Sequence, residues 1–152
     1  MTAHGALKST CELSALKAAT PLLLHACCGP CSLEPLKLLR QEGFEPTICW
    51  TNPNIQPLEE HARRLETLMT WAREVAHVEV IIAGDPRERW ESAAAPAAFD
   101  REKRCRSCYA IRLAESCRVA RERGFTFVST TLAVSPYQLF DVCRDELLAI
   151  AR

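Results

Sequence analysis

Apolar positions along this chain switch repeatedly between two periods. The run Leu22-Leu23-Leu24-His25-Ala26 is short and unbroken, as a strand buried on both faces requires. Thr47-Ile48-Cys49-Trp50-Thr51 and Val78 to Ile82 read as a second and third strand, and Phe125 to Leu132 as a fourth. Between them apolar residues recur at spacings of three and four. Leu58, Ala62, Leu65, Leu68, Ala72 and Val75 mark one helix; Tyr109, Leu113, Cys117 and Ala120 form the apolar face of another, which Gly124 stops. Ser32 is the expected cap of a helix reaching about Arg40, with Pro35 tolerated in its first turn and Gly43 ending it. Asn52 to Pro57 is punctuated by prolines and asparagines and reads as a loop. Residues 87 to 100 predict a short helix and an Ala/Pro linker, and Tyr137 to Arg152 a final helix.

Strands alternating with helices predict an α/β fold with right-handed crossovers and helices on both faces of a mostly parallel sheet. Ligands of such sheets sit beyond the carboxyl ends of the strands. Residues 27–31 follow the first strand at that edge, and residues 52–54 follow the second.

With 152 residues, 48% apolar and 25% charged, the chain is long enough for one domain with a real core. Residues 21–152 are expected to form it, with residues 1–20 as a lead-in. No stretch nears the roughly 20 apolar residues of a membrane span, and Met1 to Thr20 lacks the apolar core of a secretion signal. A cytoplasmic protein with no membrane partner is expected. Zero net charge excludes a global field that drives the chain onto nucleic acid.

The nine cysteines change this picture. Their odd number argues against a fully paired disulfide framework, and in a reducing compartment clustered thiols bind metal or do redox chemistry. Cys27-Cys28-Gly29-Pro30-Cys31 and Cys105-Arg106-Ser107-Cys108 both fall where helices are expected to open, and helix N-termini favour thiolates. Cys105 and Cys108, three apart, face one way on a helical turn. They supply two of the four thiolates that an iron–sulfur cluster or structural zinc takes, and Cys27 and Cys28 are candidates for the others. Cys31 is then a fifth thiol, suited to a second metal, to catalysis or to exchange. Cys49, Cys117 and Cys143 read as small core hydrophobes, and Cys11 as incidental.

Spacing alone does not choose the metal. Zinc in a nucleic-acid-binding module satisfies the same pattern. Cys28-Gly29-Pro30-Cys31 also matches a thioredoxin-like dithiol loop, although such an enzyme needs neither Cys27 nor a second cysteine pair. Nucleotide binding at the first strand-to-helix turn is disfavoured, because that turn holds only Gly29 where a phosphate cradle is glycine-rich.

Four segments in order carry a family resemblance: residues 22–32 around the first cysteines, Asn52-Pro53-Asn54-Ile55-Gln56-Pro57, Arg104-Cys105-Arg106-Ser107-Cys108-Tyr109-Ala110-Ile111-Arg112-Leu113, and Thr130-Thr131-Leu132-Ala133-Val134-Ser135-Pro136-Tyr137. Together they resemble the cobalamin-independent epoxyqueuosine reductases, from about Pro21 to Tyr137. The resemblance implies a Rossmann-like (HUP-type) three-layer sandwich. It implies an oxidoreductase that finishes queuosine biosynthesis by removing the epoxide oxygen at the wobble position of tRNAs with a GUN anticodon, those for aspartate, asparagine, histidine and tyrosine. It implies a [4Fe-4S] cluster on Cys27, Cys28, Cys105 and Cys108, with Cys31 as a ligand to a neighbouring second iron, and an electron donor outside the chain. Members usually continue past the Ser-Pro-Tyr motif to a Tyr-Cys-Gly-Cys segment holding a redox-active disulfide pair. No Cys-Gly-Cys stands in this sequence, so the chain is expected to lack that segment.

Deoxygenation consumes two protons as well as two electrons. His25, His61, Asp85 and Tyr109 are the acid candidates near the strand edge, with Cys31, Asp85 and Tyr109 the catalytic set. Residues 101–123 hold eight basic and three acidic side chains. Arg104, Arg106 and Arg112 are the candidates for contact with anticodon phosphates. Trp50 and Trp90 are candidates to stack on an unpaired base, against the plainer expectation that both pack in the core.

Overall fold

The computed structural model describes residues 20–152; Cys11 and all of the expected lead-in but Thr20, which opens the first strand, lie outside them. Four strands form one sheet: β1 Thr20–His25, β2 Phe44–Trp50, β3 Val80–Ile82 and β4 Phe127–Thr130. Their order is β3-β2-β1-β4, and every neighbouring pair is parallel. Among the described residues five α-helices accompany them: α1 Leu33–Gln41, α2 Leu58–Trp71, α3 Arg87–Ala94, α4 Arg101–Arg123 and α5 Phe140–Ile150.

Side-chain alternation along the strands explains the three layers. Leu22, Leu24, Ile48 and Trp50 point to one face, where Leu39 of α1 and Leu65 and Leu68 of α2 cover them. Leu23, Cys49, Ile81 and Val128 point to the other, against Val119 and Ala120 of α4. Tyr109 and Leu113 of α4 join Leu132 and Cys143 in a further cluster, which seats α5 on α4. Burial of both faces is why β1 reads as a continuous apolar run. Cys49, Cys117 and Cys143 are buried, as expected of core thiols.

Several boundaries differ from the sequence reading, each for a local reason. The third strand begins at Val80 because the helix preceding it ends in a π-type turn, Ala72–Ala76, and His77 then takes a left-handed conformation. The fourth strand stops at Thr130, whose hydroxyl accepts from the Leu132 N–H and turns residues 131–134 into a 3-10 helix. Ser32 does not cap α1; its hydroxyl donates to the Cys28 carbonyl at 2.7 Å. The final helix starts at Phe140, leaving Tyr137 in an exposed turn. Gly43 and Gly124 both have positive φ, as the stops after α1 and α4 require. No helix among the described residues is long and apolar enough to cross a membrane.

Candidate metal centre

In the order β3-β2-β1-β4 the chain leaves β1 to one side and returns to its other side through α4. The topological switch point therefore lies at the carboxyl ends of β1 and β4, the position where open α/β sheets hold ligands. Cys27 follows β1 at this point and Thr131 follows β4. They are joined directly: the Cys27 N–H donates to the Thr131 hydroxyl at 3.2 Å, and that hydroxyl lies 3.4 Å from the Cys27 sulfur.

The loop between β1 and α1 converges its thiols. The sulfurs of Cys27, Cys28 and Cys31 all lie within 4.8 Å of one another, with Cys27 and Cys28 4.0 Å apart. Ser32, held to Cys28, and the Ser32 N–H to Gly29 carbonyl bond close the loop into a tight turn. A metal with bonds of about 2.3 Å to tetrahedral sulfur ligands separates those sulfurs by about 3.8 Å. The three thiols are thus near the spacing of ligands sharing one metal ion; to take separate irons of a cluster they would have to spread apart. Burial pushes the Cys31 thiol up to about 12, reinforced by hydrogen bonding with Cys28 and by the neighbouring charges of Cys27 and Cys28. Three crowded thiols ionise together only when a cation offsets their charge, and that is what a bound metal supplies.

The second cysteine pair differs from the expectation in one respect. Asp100 caps α4, its carboxylate accepting from the Lys103 N–H, so Cys105 and Cys108 stand in the second and third turns and not at the helix start. The helix dipole acts within the first turn, so these two thiols lie beyond its reach. Cys105 packs against the cluster of Tyr109, Leu113 and Leu132 that Cys27 also touches. Cys108 is reached by Arg112, whose guanidinium lies 3.8 Å from its sulfur and also donates to Asn52. Asn52 in turn donates to the Ala26 carbonyl, one residue before Cys27. This relay ties the two cysteine pairs to the same sheet edge. Among the described residues Cys27, Cys28 and Cys31 converge, while Cys105 and Cys108 are half-buried thiols outside that group; thiols with no carboxylate among them suit zinc or an iron–sulfur group and not a hard cation.

The other residues singled out from sequence fall elsewhere. His25 is fully buried: its Nε2–H donates to the Thr51 carbonyl, which leaves Nδ1 to accept from Thr130. Burial, then the Arg112 charge, lowers it to about 3, so it is neutral and braces the ends of β4, β1 and β2. The Tyr109 hydroxyl donates to Gln138 at 2.6 Å and accepts from the Leu139 N–H at 3.0 Å; burial raises its proton affinity, making it a poorer acid than a free phenol. Asp85 is exposed, ion-paired with Arg87, and caps no helix. His61 accepts from the indole of Trp50, which is core.

Among the basic candidates, Arg104 is exposed and bonded only to the Ala98 carbonyl. Arg106 spends its charge on Glu146 and Glu102, pinning α4 to α5. Arg112 is only 3% exposed, with its guanidinium on Cys108 and Asn52 and little surface left for a phosphate. Trp90 is half-buried with its indole N–H buried and unpartnered. Asn52, two residues past β2, and Thr131, directly after β4, were given no role from sequence, although residue 52 was placed at this sheet edge; position just beyond a strand end is the signal for both.

With this geometry in hand, comparison with known proteins is decisive about kinship. The sequence model of the family described as "Epoxyqueuosine reductase QueH" matches residues 22–152. A protein of that name from Dehalococcoides mccartyi is 33% identical over 133 residues, covering 86% of this chain and 71% of the relative. Its namesake from Haemophilus influenzae is 33% identical over 119 residues, or 77% of this chain and 48% of the relative. One from Acinetobacter baylyi is 32% identical over 129 residues, or 84% and 59%. This chain therefore spans 71% of the first of these relatives and about half of the others. Its matched region holds both cysteine groups and the switch point at the ends of β1 and β4, and the chain belongs to the epoxyqueuosine reductase QueH family.

Proposed function

We propose that this chain is an iron–sulfur reductase that converts epoxyqueuosine to queuosine in tRNA. The observation that carries the reading is the convergence of Cys27, Cys28 and Cys31 at the sheet's switch point, in a chain of this family. Cys27, Cys28, Cys105 and Cys108 would hold a [4Fe-4S] cluster, and Cys31 a neighbouring iron. When bound, that group supplies electrons singly and a Lewis acid for the epoxide oxygen. Overall, two C–O bonds break and a C=C bond forms, while the oxygen leaves as water with two electrons and two protons. The electrons come from a donor outside the chain.

The protein's own part is to hold the thiols and to seat the RNA. Thr131 and Ser32 fix the Cys27–Cys31 loop from two sides. Neither Tyr109 nor His25 has a free proton to give, because both are bonded within the fold. For the substrate, Arg104 is an exposed cation, and Arg101, one turn earlier on α4, donates to the Tyr137 carbonyl. Phe99 and Tyr137 are among the most exposed aromatic side chains, and an unpaired anticodon base has a face to stack on either. A GUN anticodon loop is the proposed ligand of this surface, and the cytoplasm the proposed compartment.

The test is anaerobic incubation of the reconstituted protein with tRNA carrying epoxyqueuosine and a low-potential chemical reductant, followed by mass analysis of the released nucleosides. Conversion by the wild type and its loss in Cys27→Ser support the proposal. Bound zinc, tRNA affinity and no conversion by a protein that takes up no iron or sulfide would replace it with a zinc-stabilised binding module.

A further inference from the structure

Three arginines of α4 show how this helix treats its cations. Arg106 is paired with Glu146 and Glu102, Arg118 with Glu115 and Glu122, and Arg104 is open to solvent. Arg112 is the exception. It is buried, yet among the described residues it contacts no carboxylate. Its partners are the neutral amide oxygen of Asn52 and the sulfur of Cys108, and its Nε is buried with no partner at all.

Arginine keeps its charge at any pH a protein survives, so burial cannot be relieved by losing a proton. A buried cation without an anion is strongly unfavourable, and proteins keep one where a negative group completes the pair. The ionisable side chain this guanidinium touches is the thiol of Cys108. Metal-bound sulfurs are thiolates, and four of them outweigh the charge of the metal or cluster they hold.

Resting on the iron–sulfur reading above, we propose that Arg112 is the fixed countercharge of the centre: it tethers Cys108, links it through Asn52 to the Cys27 loop, and raises the reduction potential of the group bound there. Each electron accepted adds one negative charge to that group, and a fixed cation beside it stabilises the reduced form over the oxidised one. Arg112 is thus a positioning and tuning residue that does not touch substrate.

The experiment compares wild type, Arg112→Met and Arg112→Lys, each reconstituted anaerobically with ferrous iron and sulfide. Iron and sulfide content, thermal midpoint with and without the bound group, and the midpoint potential are measured. A wild type that takes up no iron and sulfide refutes the iron–sulfur reading itself. If the wild type loads, the proposal expects metal-free Arg112→Met to be at least as heat-stable as metal-free wild type, since an unpaired buried charge is gone. With the group bound the order should reverse, the Arg112→Met potential should shift to more negative values, and Arg112→Lys should recover part of that shift. Loading by Arg112→Lys but not by Arg112→Met also supports a role for the charge. Equal destabilisation of Arg112→Met in both forms with an unchanged potential overturns it, leaving a merely structural side chain. So does failure of both folded variants to load when both are also less stable than wild type without metal, because shape and not charge would then be what matters.

Discussion

Replacing Tyr109 by phenylalanine removes one oxygen from a side chain that is 1% exposed, and its consequence separates two roles for that residue. The hydroxyl donates to Gln138 and accepts the N–H of Leu139, the residue that opens α5. Its loss cuts two hydrogen bonds worth about 1 kcal/mol each net, and it strands the Leu139 donor at the entrance of the helix. Gln138 is half-buried and can turn to water, so the whole effect is about 2 kcal/mol. In a chain of this size that lowers the thermal midpoint by roughly 4–8 °C. Urea unfolding should show a lower midpoint concentration with unchanged slope. Turnover per bound cluster should stay within about threefold of wild type, because the phenol's proton is committed to Gln138 and burial makes it a poorer acid. A fall in turnover of about a hundredfold or more with unchanged stability would refute this reasoning and restore Tyr109 as the proton donor.

Thr131→Val keeps the shape of a fully buried side chain and deletes its bonds to the Cys27 N–H and sulfur. A loss of about 1–2 kcal/mol in urea unfolding is expected, with less iron retained per chain after gel filtration; full retention at wild-type stability would contradict the role given to that hydroxyl. Glu115 accepts the Gly84 N–H and pairs with Arg118, which holds its carboxyl below the ordinary glutamate value. A depressed folded-state value means a contribution present above the unfolded value and lost as pH falls through the folded one. Wild type should therefore exceed Glu115→Gln by about 1 kcal/mol at neutral pH, with the gap closing below about pH 4. A gap that does not change with pH would show that the charge is not what Glu115 contributes.

Much of the fold was legible because two-sided burial writes itself as unbroken apolar runs. Leu22 to Ala26 announced β1, and the three-and-four spacing from Leu58 to Val75 announced α2. What escaped were events decided by single side chains. Ser32 looked like a cap, but its hydroxyl found the Cys28 carbonyl, a competition that composition cannot rank. Asp100 started α4 one turn before the cysteine motif, so the thiols sit inside the helix. Arg112 had the look of the other arginines on α4 until its burial was seen. The cysteine groups stood out in sequence because thiols are rarely clustered without a metal; the residues that join them, Asn52 and Thr131, are ordinary loop types and carry no such signal.

The most direct test of the account is the iron and acid-labile sulfide content of the anaerobically purified chain, read together with its visible spectrum. The account predicts about four of each per chain, with iron in slight excess if Cys31 holds a second ion, and a broad brown absorption that Cys105→Ser and Cys27→Ser abolish. Stoichiometric zinc without sulfide, unchanged after reconstitution with iron and sulfide, would contradict it.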